Sequence, residues 1–284
     1  MIRIENCKDV DSKQIYDAFM NCSADYPIKV TIELNDFINK YFGPEGNKLE
    51  NSFIAFDDEK PIGLCIAGIL YDHDIKTMRC GVIAVTPEYR GSDVATRLIK
   101  EHLELGENKN CKQYMLEVLA NNHRAISFYN KFGYDKVYDL TYRKIDRDKL
   151  KPYDTDRLPV NCVIKEITLN EASTMKNYDS NHVIWRNDFE FLSKIKTNCL
   201  GAYIGDMLVG IIVASSRKID YIFVLEAFRS KYIGISLLYR ALSGDIAEKP
   251  IFSYTNNSVL HLFSNHIGME KTENNHIVMY RGIE

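Results

Sequence analysis

The segment Arg90-Gly91-Ser92-Asp93-Val94-Ala95 is where residue type and spacing most directly invite chemistry. It joins an apolar run to an amphipathic one, in which Val94, Leu98, Ile99 and Leu103 recur at helical spacing. A turn there gathers several main-chain N–H groups into one small space, and the helix start adds partial positive charge. A diphosphate fits such a nest with little help from basic side chains, and Arg90 could add one charge-assisted contact. Taken alone the segment is a weak signal, because turns holding Arg and Gly are common. Neither G-x-x-x-x-G-K-[ST] nor G-x-G-x-x-G occurs, so ATP and dinucleotide binding lose support.

Other reactive residue types carry less. Asp72-His73-Asp74 suggests a metal, yet it sits in an expected hairpin turn without a second cluster at ligand spacing. A hydrated loop and no metal site is the expectation. The seven cysteines, Cys7, Cys22, Cys65, Cys80, Cys111, Cys162 and Cys199, include no C-x-x-C pair, and several stand inside apolar runs. They read as reduced, small core residues of a cytoplasmic protein. A net charge of -3 gives no basic face for nucleic acid. The longest apolar stretches are too short to span a bilayer, so no membrane partner is expected, and the start lacks the apolar core of a signal peptide.

The elements that would position the turn follow from periodicity. Met1–Ile4 is a strand. Asp11-x-x-Gln14 opens a helix, and a second helix spans Thr31–Phe42. Phe53–Leu70 is a hairpin and Cys80–Val85 a strand. A helix runs from about Asp93 to Gly106, a strand covers Tyr114–Leu119, and a helix covers Asn122–Phe132. Two short strands complete the first copy. Asp146–Val160 is charged, holds two prolines and lacks an apolar period, and reads as a linker. Beyond it three blocks return in order: Gly201–Ser215 repeats the hairpin, Val224–Leu242 the turn and helix, and Asn256–Met269 the final helix. Domains are therefore expected at 1–145 and 161–284, joined by 146–160.

With the order of blocks included, the chain resembles the GNAT acetyltransferase superfamily. Val85-x-Pro87-Glu88-Tyr89-Arg90-Gly91 resembles the family's strand-to-loop segment, and Arg90-x-x-x-x-Ala95 matches the ends of its R/Q-x-x-G-x-G/A motif. Leu116-Glu117-Val118, Asn122-x-x-Ala125-Ile126-x-Phe128-Tyr129 and Lys131-x-Gly133-Tyr134 match its downstream motif. The likeness is clear over about residues 50–145, weaker over 161–284, and is that of a tandem GNAT arrangement. It implies an α/β (α+β) fold, two GNAT-like domains each with a mixed, mostly antiparallel twisted sheet flanked by helices. One departure is Asp93 at the family's middle Gly. A carboxylate beside a diphosphate is unfavourable unless it turns away, for instance to cap the helix.

The resemblance also implies a mechanism. Acetyl-CoA would be the co-substrate, bound at Ala84 and Val85, at the amides of Arg90, Gly91, Ser92, Asp93, Val94 and Ala95, and by Asn122 and Tyr129. The Val85 N–H would polarise the thioester carbonyl. Tyr129 would protonate the leaving thiolate, a task suited to a phenol that titrates near ~10. Glu117 would accept the amine's proton, directly or through water. It matches a Glu in the branch that acetylates ribosomal-protein N-termini. Transfer would be direct, without a covalent enzyme intermediate. The substrate would be a small-molecule amine or a peptide N-terminus, with a homodimer allowed. In the second copy Ser264 stands for Tyr129 and Phe252 for Glu117, so that copy is expected to be degenerate, a scaffold, a substrate wall or a residual cofactor site. The competing reading is a non-catalytic acyl-CoA binding or sensing protein.

Overall fold

The computed structural model describes residues 1–25, 31–146, 148–150, 158–243 and 249–282. The expected linker lies largely outside them, since 147 and 151–157 are not described. The chain divides into two compact units, Met1–Val137 with Ile277–Glu284, and Tyr138–His276.

In the first unit the strands are β1 (Ile2–Asn6), β2 (Phe53–Asp57), β3 (Lys60–Asp72), β4 (Ile75–Val85), β5 (Gln113–Leu119) and, from the end of the chain, β13 (His276–Gly282), adjacent in that order. The first four pair antiparallel, while β4 and β5 run parallel. Both faces are covered, and the two-residue period of a strand sorts the side chains between them. On β2, Phe53 and Ala55 join the core beneath α3 (Val94–Asn108) and α4 (His123–Asn130). Ile54 and Phe56 join the opposite core, beneath α1 (Ser12–Cys22) and α2 (Leu34–Tyr41). The Asp11 side chain caps α1 by accepting from the Lys13 amide at 2.7 Å. Residues 31–33 are not helical, so α2 is shorter than its apolar period suggests.

Gly106 does not end its helix. It lies inside α3 because the buried Tyr114 ring leaves no room for a side chain there; a Cβ would stand 2.3 Å from Tyr114 Cε1. The left-handed residue past the helix is Asn110, at φ 58.

The second unit orders its strands β6 (Asp135–Lys144), β11 (Ile251–Tyr254), β10 (Lys218–Val224), β9 (Met207–Ser215), β8 (Asn198–Ile204) and β7 (Cys162–Glu166), with the short β12 (Glu270–Lys271) also on β6. Its helices are α5 (Leu169–Ser173), α6 (Phe189–Leu192), α7 (Ile233–Leu242) and α8 (Ser258–His266).

The compact units depart from the expected 1–145 and 161–284 division. The strand expected to complete the first copy, Asp135–Lys144, pairs antiparallel with Ile251–Tyr254 of the second unit. In exchange Ile277 and Met279 of β13 enter the first unit's core. Side-chain period fixes which face of a strand is buried, but leaves its edge partner open, so an exchange of last strands is invisible in the pattern. Among the described residues, no helix is long and apolar enough to cross a membrane.

Candidate functional site

In the first unit β4 and β5 part company midway. They pair from Thr77 with Gln113 to Cys80 with Leu116, and no further. The next residue, Gly81, is a bulge: Ile66 faces Val82 and Ala67 faces Cys80, which leaves Gly81 opposite neither. A bulge bends and twists its strand, and here it marks where the two strands separate. Beyond it β4 carries Ala84 and Val85, and β5 carries Glu117. The two strands thus enclose a wedge, with Val85 at its edge and Glu117 half-buried beside it. Glu117 does not lie on an open strand face, because both faces of β5 are covered: Met115, Leu116 and Val118 are all buried.

β4 runs into a single 3-10 turn, Pro87–Tyr89, and then the loop Arg90–Asp93 before α3. Gly91 takes φ +86, and the space where its Cβ would stand is open. Among the described residues, the amides of Gly91, Asp93, Ala95 and Thr96 donate to no protein group, and Val94 has only a long contact of 3.5 Å to the Ser92 hydroxyl. Unpaired amides at a helix start have the electrostatics of an anion site.

Two expectations for this loop are corrected. The Arg90 guanidinium is not held ready for an anion. Its Nε donates to Val85 O at 3.1 Å, and its terminal nitrogens donate to Asp25 at 2.5 and 2.6 Å and to Cys22 O at 3.3 Å. The ion pair lowers the Asp25 pKa and raises that of Arg90. Nor does Asp93 cap α3. It occupies the cap position with α-helical angles, and its carboxylate makes no cap hydrogen bond. Its φ of -83 and ψ of -2 are those of a helical residue rather than the extended cap geometry from which an Asp side chain reaches back to the amides.

Asn122 stands at the start of α4, where its side-chain oxygen accepts from the Ala125 amide at 3.2 Å. The side-chain amide nitrogen is therefore the group it has to offer. Tyr129 is 7% exposed and joins the core beneath α3 and α4, its ring edge-on to Phe128 and Tyr134 at 5.5 and 5.9 Å. Burial pushes the Cys7 and Cys22 thiols up to about 12, which disfavours the reactive thiolate form at both. Asp72 is no hydrated loop residue either. It is buried and accepts from the Tyr280 hydroxyl at 2.6 Å, while His73 and Asp74 are exposed at the hairpin tip.

The second unit repeats this construction. Arg229 Nε donates to Val224 O at 3.0 Å, as Arg90 does to Val85. Asn257 caps α8 through the Leu260 amide, as Asn122 caps α4. Strand β10 bulges at Asp220 and leaves β11 after Ile219 and Phe252 pair. The differences lie in the side chains. Among the described residues no carboxylate pairs with Arg229. Tyr232, where the first loop has Asp93, is left-handed at φ 61. A cavity of about 510 Å³ opens there, lined by Arg229, Tyr232, the start of α7 and one side of α8. Ser264, in the place of Tyr129, is buried, and its Oγ lies 2.9 Å from the Tyr254 hydroxyl.

Sequence reasoning missed Asp25, Asp220 and the exchanged strand. Asp25 had no local signal, being an acidic residue after a helix. Asp220, a lone acid within an apolar strand, was a signal that could have been read.

Residues 13–134 match the acetyltransferase (GNAT) family. The chain is 33% identical over 98 residues to N-alpha-acetyltransferase 30 of Schizosaccharomyces pombe, a span of 33% of this chain and 63% of that protein. It is 41% identical over 59 residues to the thialysine N-epsilon-acetyltransferase of Mus musculus, 21% of this chain and 33% of that one. The chain thus spans less than two thirds of these curated relatives. Over its whole length it superimposes on a tandem GNAT protein from the clavulanic acid biosynthesis pathway, at TM-score 0.70 and 13% identity, covering 99% of this chain and 98% of the other. A GCN5-related N-acetyltransferase from Sphaerobacter thermophilus matches at TM-score 0.70 and 15% identity, covering 99% and 95%. At such identities the structures establish a shared fold.

Proposed function

We propose that the first unit, whose residues 13–134 match the acetyltransferase (GNAT) family, is an acetyl-CoA-dependent N-acetyltransferase acting on a primary amine, either a small molecule or a peptide N-terminus. The observation that carries this reading is the wedge between β4 and β5, which ends in a loop of unpaired amides. The fit to a diphosphate is good on the main chain: Gly91 presents no side chain to the approach, and the amides of Gly91, Asp93, Ala95 and Thr96 have donors to spare.

In this mechanism the loop amides hold the diphosphate of the co-substrate, and the Val85 N–H faces the thioester carbonyl oxygen as negative charge develops there. Glu117, or water that it orders, takes the amine's proton. The amine nitrogen then forms the new C–N bond as the C–S bond breaks. Tyr129 gives its proton to the departing thiolate and recovers one from solvent. Arg90 serves differently from the sequence expectation: it ties the end of α1 to the loop through Asp25 and Cys22 O.

The test is amine-dependent release of free thiol from acetyl-CoA by the full chain. A panel of short peptides and small amines should yield turnover with at least one class. Tyr129→Phe should lower kcat by about 100-fold, the order expected for one proton-transfer group. Full activity in that variant would remove Tyr129 from the chemistry.

One observation favours a second reading, acyl-CoA binding without turnover: the open cleft beside Arg229 lies in the unit that lacks counterparts of Tyr129 and Glu117. Under that reading acetyl-CoA binds and no amine produces thiol.

A further inference from the structure

Leu116 and Val118 belong to the core beneath α3 and α4, as does Tyr129. Glu117 stands between them on β5, so strand alternation turns its side chain to the opposite face, the one covered by α1 and α2. Arg79 is placed alike on β4. Met78 and Cys80 join the core beneath α3 and α4, and Arg79 points the other way. In the parallel register Arg79 faces Met115, and Gly81 would face Glu117 had the pairing continued past Cys80.

Arg79 is 4% exposed. A buried guanidinium is costly unless its N–H groups are satisfied, and this one turns to the chain that follows α2. Its Nη2 donates to Glu45 O at 2.6 Å and to Asn47 Oδ1 at 2.7 Å. Asn47 is itself fully buried, and its Nδ2 donates at 2.6 Å to the carbonyl of Tyr41, the last residue of α2. A carbonyl can only accept, so the orientation of the Asn47 amide is fixed.

The main chain beside it is laid against β3. Asn47 bridges to Gly68, and the Lys48 amide donates to Ala67 O at 2.9 Å. Two glycines make room for this. A Cβ at Gly68 would collide with Gly46 O, and one at Gly81 would stand 2.7 Å from Asn47 Oδ1 and 3.0 Å from Arg79 Nη1. Arg79 and Asn47 thus fill the side-chain space above the bulge, across the wedge from Glu117. The second unit has Asp220 at the matching bulge and Lys218 two residues before it. The vacated space therefore belongs to the unit that carries Tyr129 and Glu117. Phe37 is the one buried residue of α2, so apolar packing alone anchors that helix lightly.

We propose that Arg79 is a positioning residue that sets acceptor specificity: through Asn47 and Glu45 O it fixes the end of α2 and residues 43–48 as the wall of the amine's path opposite Glu117. The proposal rests on the reading above in which Glu117 serves the amine. The coenzyme's own contacts, at the Arg90–Ala95 loop and beneath Tyr129, lie outside this clamp.

Arg79→Met keeps the length of the side chain and removes every N–H. Thiol release from acetyl-CoA by the full chain is followed with trialanine, lysinamide and n-butylamine. For the best of these, Arg79→Met should raise the amine's KM about tenfold or more and leave kcat and the KM for acetyl-CoA within about twofold, the pattern of lost acceptor binding. The ratio of kcat/KM between the best and the poorest amine should narrow. Arg79→Lys, which keeps the charge and some of the donors, should fall between. Gly81→Ala drives a methyl into the same pair and should reproduce the loss, so the test stands even if Arg79→Met fails to fold. Hydrogen exchange at the Lys48 amide should quicken about tenfold in each full-loss variant, as local opening becomes easier. An unchanged KM for the amine, or a rise shared equally by acetyl-CoA, would overturn the proposal and leave the acetyltransferase reading in place. No turnover by the natural chain with any of the three amines would remove both.

Discussion

Asp25 grips Arg90 with both carboxylate oxygens, at 2.5 and 2.6 Å, and so keeps the loop's one guanidinium from the amides beside it. Replacing Asp25 with Asn removes the negative charge and leaves Arg90 able to swing toward a bound diphosphate. We expect Asp25→Asn to tighten coenzyme A binding by about threefold at low ionic strength, with the gain fading as salt rises, because the contact is solvent-accessible. Isothermal titration at two salt concentrations checks this. Weaker binding in the variant would instead mean that the pair is needed to shape the loop.

Glu117 on the edge of the wedge is proposed to take a proton from the incoming ammonium. Glu117→Gln should therefore lower kcat/KM by about 100-fold near neutral pH. The deficit should shrink as pH rises toward the amine's own pKa, because the free amine then arrives already deprotonated. A pH profile of natural and variant enzyme measures it. A deficit that stays constant with pH would point to a positioning role.

His102 supplies a stability test unrelated to catalysis. It is wholly buried in α3, neither ring nitrogen has a hydrogen-bond partner among the described residues, and burial lowers its pKa to about 3. The unfolded chain, with a His of about 6.5, binds more protons than the folded one between those values. Stability is thus full above pH 6.5 and falls by about 1.4 kcal/mol for each further unit of pH until about 3. His102→Leu should flatten this slope and leave the melting temperature at pH 7.5 equal or higher, as followed by thermal melts from pH 7.5 to 5.

Gly106→Ala should be costly despite the higher helix propensity of Ala. The added methyl would meet the Tyr114 ring at 2.3 Å, and that ring is fixed by a hydrogen bond from its hydroxyl to Leu103 O at 2.7 Å. Overpacking of this kind costs about 1–3 kcal/mol. Thermal or urea unfolding of the variant should show the loss, against the gain of about 1 kcal/mol that propensity alone would give.

Much of the fold was legible because its signals are local. The apolar runs of both hairpins, the helical spacing of Val94, Leu98, Ile99 and Leu103, and the ordered return of three blocks each depend on residues close in sequence. The loop at Arg90–Ala95 was legible for the same reason. What escaped notice depends on distant partners. Nothing near Arg90 announces Asp25, 65 residues earlier. Gly106 looks like a helix stop until the Tyr114 ring is placed against it. The Asn122 cap and the family's cofactor role compete for one short side chain, and only the hydrogen bond to Ala125 shows which end is committed.

Because the closing strand of the first unit comes from residues 277–282, a ribosome making this chain holds that unit one strand short until the whole second unit has been made. A gene fragment cut after residue 134, lacking both β6 and β13, would leave β5 with a bare edge, inviting the sticky self-association that exposed strand edges promote. Expressing the N-terminal half alone should thus yield aggregates, and activity should return when a peptide spanning the missing strand is supplied in trans.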